Sequence, residues 1–161
     1  MTKESNPHLL RAEQIEALPE RQQQHQFNAN AVRQTRSLGD LLGLQALGVH
    51  LVRLESGRDS TQFHFHDTDE EFLYILSGRG IAEIGEQRLP VGAGDFMAFP
   101  AGSEPHCLSN PHSEDLLYLM GGDRNVSDVV HYPHIGRTMI KSAGSRRWVA
   151  TAQLKDVAPK E

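Results

Sequence analysis

Two histidines followed by a pair of glutamates are the side chains in this sequence best suited to bind a metal ion. His64 and His66 are separated by a single residue, so in a β-strand both would point to the same face of the sheet. Glu70 and Glu71 follow after a short polar turn, and His106 lies in a later apolar segment. Imidazole nitrogens and a carboxylate oxygen together suit a divalent transition metal. The sequence therefore predicts a metal site, which we expect inside the cup of a small β-barrel.

Alternation along a strand places the two glutamates on opposite faces. The apolar residues of the same run divide in the same way, with Leu73 and Ile75 on the face of Glu71, and Phe72, Tyr74 and Leu76 on the face of Glu70. Alternation alone leaves both carboxylates as candidate ligands.

Length, charge and apolar runs limit the class of protein. The chain has 161 residues and a formal net charge of −5, which fits one domain with its own core and offers no basic stripe for nucleic acid. No apolar run approaches the length of a transmembrane helix, and residues 1–14 do not resemble a signal peptide. Cys107 is the only cysteine and cannot form an internal disulfide. We therefore expect a cytoplasmic protein without nucleic-acid or membrane partners.

Composition divides the chain into three parts. Residues 1–35 are polar and rich in glutamine, and we expect an N-terminal arm. Residues 36–133 hold short apolar segments separated by Gly, Pro and Asn, which is typical of an all-β sandwich or barrel. Residues 134–161 carry several basic side chains, and we expect a C-terminal extension. Strands are expected over residues 44–54, 60–66, 71–77, 81–84, 87–91, 96–99, 106–109, 115–120 and 128–133, with a hairpin turn over residues 77–80.

Two motifs within residues 57–110 resemble those of the cupin superfamily, in particular its small bacterial single-domain members. The first motif has a glycine, a His-x-His pair, a glutamate and a further glycine, which correspond here to Gly57, His64, His66, Glu71 and Gly78. The second has a glycine, Pro-x-Gly, a histidine and an asparagine, which correspond to Gly94, Pro100, Gly102, His106 and Asn110. Each motif has one extra residue before its first histidine, in a turn where insertions are tolerated.

The resemblance implies an all-β, cupin-type double-stranded β-helix, also called a jelly-roll barrel, with an N-terminal arm and a C-terminal extension. The motif spacing selects Glu71 over Glu70. The resemblance further implies that one divalent transition metal ion per chain (zinc, iron, manganese, nickel or cobalt) is bound by His64, His66, Glu71 and His106. On an octahedral ion, four protein ligands leave two positions for water, dioxygen or a chelating substrate.

The other histidines and the cysteine are not expected to bind the metal. His50 could line the cup, but we expect a hydrogen-bonded structural role. His131 and His134 are expected at the surface or behind the ligands, and His25, in the predicted arm, is expected to have no part in the site. Cys107 neighbours a predicted ligand in its strand and should therefore face away from the cup.

The face opposite the predicted ligands carries apolar side chains, namely Phe63, Phe65, Phe72, Tyr74 and Leu76. A patch of this size is unusual on a monomer, so the N-terminal arm, the segment after Tyr132 or a second subunit should cover it. We expect a homodimer in which the terminal segments contribute to the interface.

Two functions fit these features. The first is a metal-dependent enzyme acting on a small oxygen-rich molecule, such as a carboxylate, an enediol or a sugar, that chelates the metal; dioxygenase, isomerase and decarboxylase activities are all compatible. The alternative is a non-catalytic module that binds a small ligand or a metal and has a regulatory or sensing role. No general acid or base stands out beyond the predicted ligands.

Overall fold

The computed structural model describes residues 6–155 and 157, and most of this range is antiparallel β-sheet. The strands within it are β1 (Arg21–His25), β2 (Asn28–Ser37), β3 (Leu47–Leu54), β4 (Phe65–His66), β5 (Glu71–Ser77), β6 (Arg79–Ile84), β7 (Gln87–Gly92), β8 (Phe96–Phe99), β9 (His106–Ser109), β10 (Leu116–Asp123), β11 (Ser127–Tyr132), β12 (Arg137–Ser142) and β13 (Ser145–Ala150). The helices there are short: α1 (Ala12–Glu16), α2 (Leu38–Leu41) and 3-10 turns at Pro133–Ile135 and Thr151–Gln153. None of the helices in the described range is long and apolar enough to cross a membrane.

The strands form three sheets between which the chain passes repeatedly. A six-stranded sheet has the order β1-β2-β3-β10-β5-β8, a four-stranded sheet the order β13-β12-β11-β4, and a three-stranded sheet the order β7-β6-β9. Crossing between facing antiparallel sheets is the defining feature of a jelly roll. The predicted all-β double-stranded β-helix is therefore confirmed.

The hydrophobic core lies between the six-stranded and the three-stranded sheets. Alternate residues of β3, β5 and β10 point inward and meet residues of β6, β8 and β9; the cluster comprises Val52, Leu54, Leu73, Ile75, Ala82, Phe99, Leu108, Leu116 and Tyr118. Each large apolar side chain buried in this way stabilises the fold by about 1.5–3 kcal/mol. The core therefore anchors β5, β8 and β9, three of the strands that carry or flank the predicted ligands.

Gly78 marks the point at which the chain leaves the six-stranded sheet for the three-stranded sheet. β5 ends at Ser77 and β6 begins at Arg79, yet these strands belong to different sheets, so the hairpin predicted over residues 77–80 is wrong. Gly78 has a φ of 82°, and a Cβ at this position would collide with the carbonyl oxygen of Asp115. Glycine is required because both the left-handed backbone and the close approach exclude a side chain.

Both terminal segments add strands to the sheets. In the segment predicted as an N-terminal arm, β1 and β2 form a hairpin, and β2 pairs with β3. Glu20, which precedes β1, accepts a hydrogen bond of 2.6 Å from Arg53 on β3 and so fastens this hairpin to the sheet. After residue 133, β12 and β13 extend the four-stranded sheet from β11.

The apolar residues predicted to form one outer patch lie in two separate places, so the single patch is wrong. Phe63 and Phe65 are covered by the C-terminal part of the chain, where the ring of His134 stacks on Phe63 at 4.2 Å and that of His131 on Phe65 at 4.5 Å. The others, Phe72, Tyr74 and Leu76, lie on the outer face of β5, where Tyr74 is 40% exposed and Leu76 42%.

Candidate metal centre

The predicted histidines are brought together by backbone pairing. The backbone N–H of His64 donates to the carbonyl of His106 at 3.1 Å, and the N–H of His106 donates to the carbonyl of His64 at 2.8 Å. His66 follows in β4, where it pairs with Val130 of β11. His106 therefore lies directly beside His64.

Strand parity places Glu71 with these histidines and Glu70 away from them. Leu73 and Ile75, on the face of Glu71, are 8% and 0% exposed and belong to the core, whereas Tyr74 on the other face is exposed. Glu70 is exposed at the outer end of the strand. The selection of Glu71 as the inward carboxylate agrees with this burial pattern.

The side chains of the four predicted ligands converge on one point. The Oε2 atom of Glu71 lies 3.4 Å from Nε2 of His64, 3.5 Å from Nε2 of His66 and 3.2 Å from Nε2 of His106. Ligand atoms at 2.0–2.2 Å from one ion are about 3–3.5 Å apart. The ligand atoms of His64, His66 and Glu71 lie within 4.8 Å of one another, and His106 is joined to that group through Glu71.

Hydrogen bonds on the far side of two imidazole rings leave their Nε2 atoms available as ligands. Nδ1 of His64 donates to the carbonyl of Gln62 at 2.9 Å, and Nδ1 of His66 donates to Oδ2 of Asp128 at 2.6 Å. When each ring holds its single proton on Nδ1, the Nε2 lone pair is free to bind a metal ion; without a metal, a protonated Nε2 donates to Glu71 instead. Lone pairs and a carboxylate converging in this way form a donor set that suits a cation between them, and the residues therefore fit a divalent transition metal.

The ring of His106 is held by stacking. It lies parallel to the ring of Phe99, with the ring centroids 3.5 Å apart and an interplanar angle of 2°. Phe99 ends β8, which pairs with β5, and its register partner is Glu71 itself. The same strand pair therefore positions both the carboxylate and the surface against which the third histidine packs.

Asp128 supports His66 and was not identified from the sequence. Its Oδ1 accepts hydrogen bonds from the backbone N–H of Thr68 at 3.0 Å and from the Thr68 hydroxyl at 2.9 Å, while Oδ2 accepts from His66. Nearby, Lys141 donates to Asp69 at 2.6 Å. Asp128 is separated from His66 by more than sixty residues in sequence, and only the pairing of β4 with β11 brings them together.

The titratable groups carry the electrostatic signature of a cation site. Burial by itself would raise the pKa of Glu71, but hydrogen bonds from His106, His64 and His66 outweigh burial and hold this pKa well below its usual range. Burial would lower the pKa of His66, yet Glu71 and then Asp128 raise it to about 9. Burial dominates at His106, whose pKa is lowered. The half-buried negative charge of Glu71 is thus balanced by a positive partner, which is a proton on His66 or a metal ion.

These residues line a cavity of about 380 Å³. Its wall includes apolar side chains from several strands, namely Leu73, Met97, Phe99, Leu108 and Met120, together with the phenols of Tyr118 and Tyr132. Polar and charged residues outside the ligand group also line it, among them His25, Arg33 and Arg146. A cavity of this volume, with a few polar groups on an apolar wall, suits a small molecule.

His25 and Arg33 reach the cavity from the segment predicted as an arm. The expectation that His25 has no part in the site is wrong in geometric terms, because it lies on β1 and lines the cavity beside Tyr132, with ring centroids 5.2 Å apart. No strong sequence signal marked either residue. Ala31, Arg33 and Thr35 alternate along β2, and the structure buries the first and the third. This alternation is the sequence feature that indicates an inward direction for Arg33.

The remaining singled-out residues lie outside the ligand group. Nδ1 of His50 is hydrogen-bonded to the Ser37 hydroxyl at 3.1 Å, which agrees with the predicted structural role. His131 donates to Asp67 at 2.9 Å. Cys107 donates its thiol hydrogen to the carbonyl of Thr61 at 3.1 Å and lies outside the ligand group, although it is among the residues that line the cavity. Its pKa is raised by burial to about 11, so the thiol stays protonated.

Comparison with known families supports the fold. Residues 50–121 match the family model described as the Cupin domain, and this range contains all four predicted ligands. No curated protein sequence matches the chain.

Several solved structures are similar over most of the chain. A candidate sugar phosphate isomerase from Acidithiobacillus ferrooxidans is 35% identical, with 95% of this chain and 98% of that one covered and a TM-score of 0.93. A sugar phosphate isomerase of the cupin superfamily from Silicibacter pomeroyi is 27% identical, with 93% and 97% covered and a TM-score of 0.79. A predicted oxalate decarboxylase from Thermotoga maritima is 19% identical, with 69% and 96% covered and a TM-score of 0.58, a likeness of fold alone.

Proposed function

This chain belongs to the cupin superfamily, and on that premise we propose that it is a metal-dependent isomerase of small sugars or sugar phosphates. One divalent ion, zinc, iron, manganese, nickel or cobalt, would be held by His64, His66, Glu71 and His106. The observation that carries the proposal is the convergence of three imidazole Nε2 atoms within 3.5 Å of one Glu71 oxygen inside a small cavity.

The site favours a substrate that presents two neighbouring oxygen atoms. When bound, the metal would supply Lewis-acid polarisation of a carbonyl group. The residues of the chain orient and shield such a substrate. Asp128 and the Gln62 carbonyl keep the imidazole rings fixed, and the apolar wall excludes water from the chelated oxygens. An α-hydroxy carbonyl compound of a few carbon atoms fits a cavity of about 380 Å³, whereas a polymer does not.

Similarity supports isomerase chemistry over the other metal-dependent reactions. The two relatives that cover more than nine tenths of the chain both carry the name sugar phosphate isomerase, at 35% and 27% identity. The relative named as an oxalate decarboxylase is similar in fold only, at 19% identity. Isomerase is therefore the reaction class that we propose first.

Two measurements on the same preparation test this proposal. Elemental analysis of protein purified without chelator or nickel resin should find about one transition metal ion per chain. Incubation with aldose phosphates in deuterium oxide should then give metal-dependent exchange of the proton at C2, visible by NMR. Glu71→Ala should abolish both results, and Glu70→Ala is the matched control because that side chain lies on the other face. Metal binding without exchange for any sugar would defeat the isomerase assignment.

The second candidate is a non-catalytic module that binds a small ligand. Among the described residues that line the cavity, Glu71 is the one carboxylate, and as a metal ligand it is not free to act as a general base. That observation favours binding over proton transfer. Saturable binding of a sugar phosphate to the metal-loaded protein without exchange or oxygen uptake would select this candidate.

We also propose that the protein is a cytoplasmic homodimer. The dimer proposal rests on the outer face of the six-stranded sheet, where Phe96 is 62% exposed and Tyr74 40% in neighbouring strands. Burial of such a face against its own copy removes apolar surface from water. The cytoplasmic location rests on the free, protonated thiol of Cys107.

A further inference from the structure

We propose that Arg33 and His25 form an anion-binding subsite that holds the phosphate group of the substrate in the same cavity as the metal ligands. This inference rests on the proposed function, because it names the residues that would bind the phosphate group of the substrate while the metal binds its other oxygen atoms.

Arg33 is a cation inside the cavity, and in the part of the chain that the structure describes it has no ionic partner. On β2 it shares a sheet face with Ala31 and Thr35, which are 2% and 3% exposed, so its side chain points inward. Its Nε donates to the Gln23 side chain at 3.1 Å and one terminal nitrogen donates to the Ser60 carbonyl at 3.0 Å. Within residues 6–155 and 157, no carboxylate forms an ion pair with it. Three of its five N–H donors therefore remain available to a ligand.

His25 adds a neutral donor to the same cavity. Its Nδ1 accepts the backbone N–H of Phe27 at 3.3 Å, so the ring proton lies on Nε2. That Nε2 is buried and has no hydrogen-bond partner in the described part of the chain. Burial also lowers the pKa of His25, which favours the neutral ring. A buried N–H without a partner is costly and indicates a missing acceptor.

The charges of the cavity favour a dianion. A divalent metal, the Glu71 carboxylate and the Arg33 guanidinium sum to two positive charges, which a phosphate dianion would neutralise. Arg146 also lines this cavity and adds to the attraction. A guanidinium is well suited to this role because its planar fork matches two oxygens of one phosphate.

Paired chelators isolate the contribution of the phosphate. Glycolohydroxamate and phosphoglycolohydroxamate present the same metal-chelating group and differ only in the phosphate. With the metal-loaded full chain, we expect calorimetry to show the phosphorylated compound binding about 10- to 100-fold more tightly. Arg33→Gln should remove most of this advantage and leave the affinity for glycolohydroxamate unchanged. His25→Gln should reduce it less, because it removes a neutral donor. Arg88→Gln is the matched control, since Arg88 is exposed outside the cavity.

A measurement without metal tests the subsite independently of the proposed function. Inorganic phosphate at millimolar concentration should shift the Arg33 Nε–H signal in the NMR spectrum of the wild-type protein. If neither hydroxamate binds, the isomerase proposal fails, and this phosphate titration alone decides the subsite. The subsite is overturned if phosphate leaves the Arg33 signal unmoved. It is also overturned if the wild-type protein binds both hydroxamates equally, or if Arg33→Gln keeps the full advantage.

Discussion

Replacing Asp128 by asparagine tests whether the residues behind the ligands control metal binding. Asp128 accepts the Nδ1 proton of His66 at 2.6 Å through Oδ2, and its other oxygen accepts from Thr68. An asparagine keeps the oxygen that faces Thr68, so the local fold is retained. Its amide N–H would meet the Nδ1–H of His66, and the imidazole would have to move its proton to Nε2, the ligating atom.

The size of the effect follows from the loss of one charge-assisted hydrogen bond. We expect Asp128→Asn to weaken the affinity for zinc or cobalt by about 10- to 100-fold, which corresponds to about 1.4–2.8 kcal/mol. Competition with a chromophoric chelator at pH 7.5 measures this affinity. The melting temperature of the metal-free variant checks that the fold is intact.

Asp67→Asn is the matched control for Asp128→Asn. Asp67 accepts a hydrogen bond from His131 at 2.9 Å, and among the described residues its carboxylate forms no hydrogen bond or ion pair with a predicted ligand. Its substitution should leave the metal affinity within about twofold of wild type, because exposed pairs of this kind contribute little. Equal affinities for wild type and Asp128→Asn would refute the view that Asp128 orients His66.

Three further predictions concern ligand choice, electrostatics and assembly. Glu71→Ala should reduce bound metal to less than about a tenth of an equivalent while Glu70→Ala retains it, and the reverse result in elemental analysis would show that the strand register is wrong. Hydrogen bonding from Arg53 lowers the pKa of Glu20 in the folded protein. The pairing of these two side chains therefore stabilises the fold at a pH above the ordinary pKa of glutamate. This stabilisation is lost as the pH falls through the lowered pKa of Glu20 in the folded state. Glu20→Gln should therefore cost about 0.5–1 kcal/mol in urea unfolding at pH 7 and progressively less as the pH falls below the ordinary pKa of glutamate, and a constant difference would contradict this. Phe96→Ser should shift the dimer to monomer in light scattering whereas Val126→Ser, at a site 76% exposed, should not; a wild-type monomer at micromolar concentration would exclude the dimer.

Local patterns were enough to predict the parts of the fold in which apolar alternation is strong. β5, β8 and β9 lie where they were predicted, because each combines a buried face with clear turn residues at its ends. The same alternation separates Glu71 from Glu70, since Leu73 and Ile75 continue the buried face. Residue types and spacing were therefore sufficient to predict that these side chains lie in one cluster.

The terminal strands were missed because no sustained apolar alternation marks them. β1 reads Arg-Gln-Gln-Gln-His, and its side chains are exposed or face the cavity, so no apolar period marks it. β12 and β13 carry basic residues that indicated a solvated tail. His25 and Arg33 lie on β1 and β2, which no apolar period marked, whereas Asp128 lies in a predicted strand and is brought to His66 by the pairing of β4 with β11.

Coverage of the aromatic residues also depended on long-range pairing. Phe63 and Phe65 are adjacent to the ligands in sequence, but whether they are exposed is decided by His134 and His131 from the C-terminal segment. No rule based on alternation could separate them from Tyr74, which the chain leaves exposed. The physical reason is that alternation assigns a face but not what packs against it.

An anomalous difference map of a crystal grown with zinc or cobalt tests the central claim most directly. We predict one strong peak about 2.0–2.3 Å from Nε2 of His64 and His66 and from a carboxylate oxygen of Glu71, with His106 completing the protein ligands. The histidine His66 also forms a second candidate group with Asp69 and Asp128, behind the cavity. A peak at that second group, or no peak within the cavity, would contradict the account.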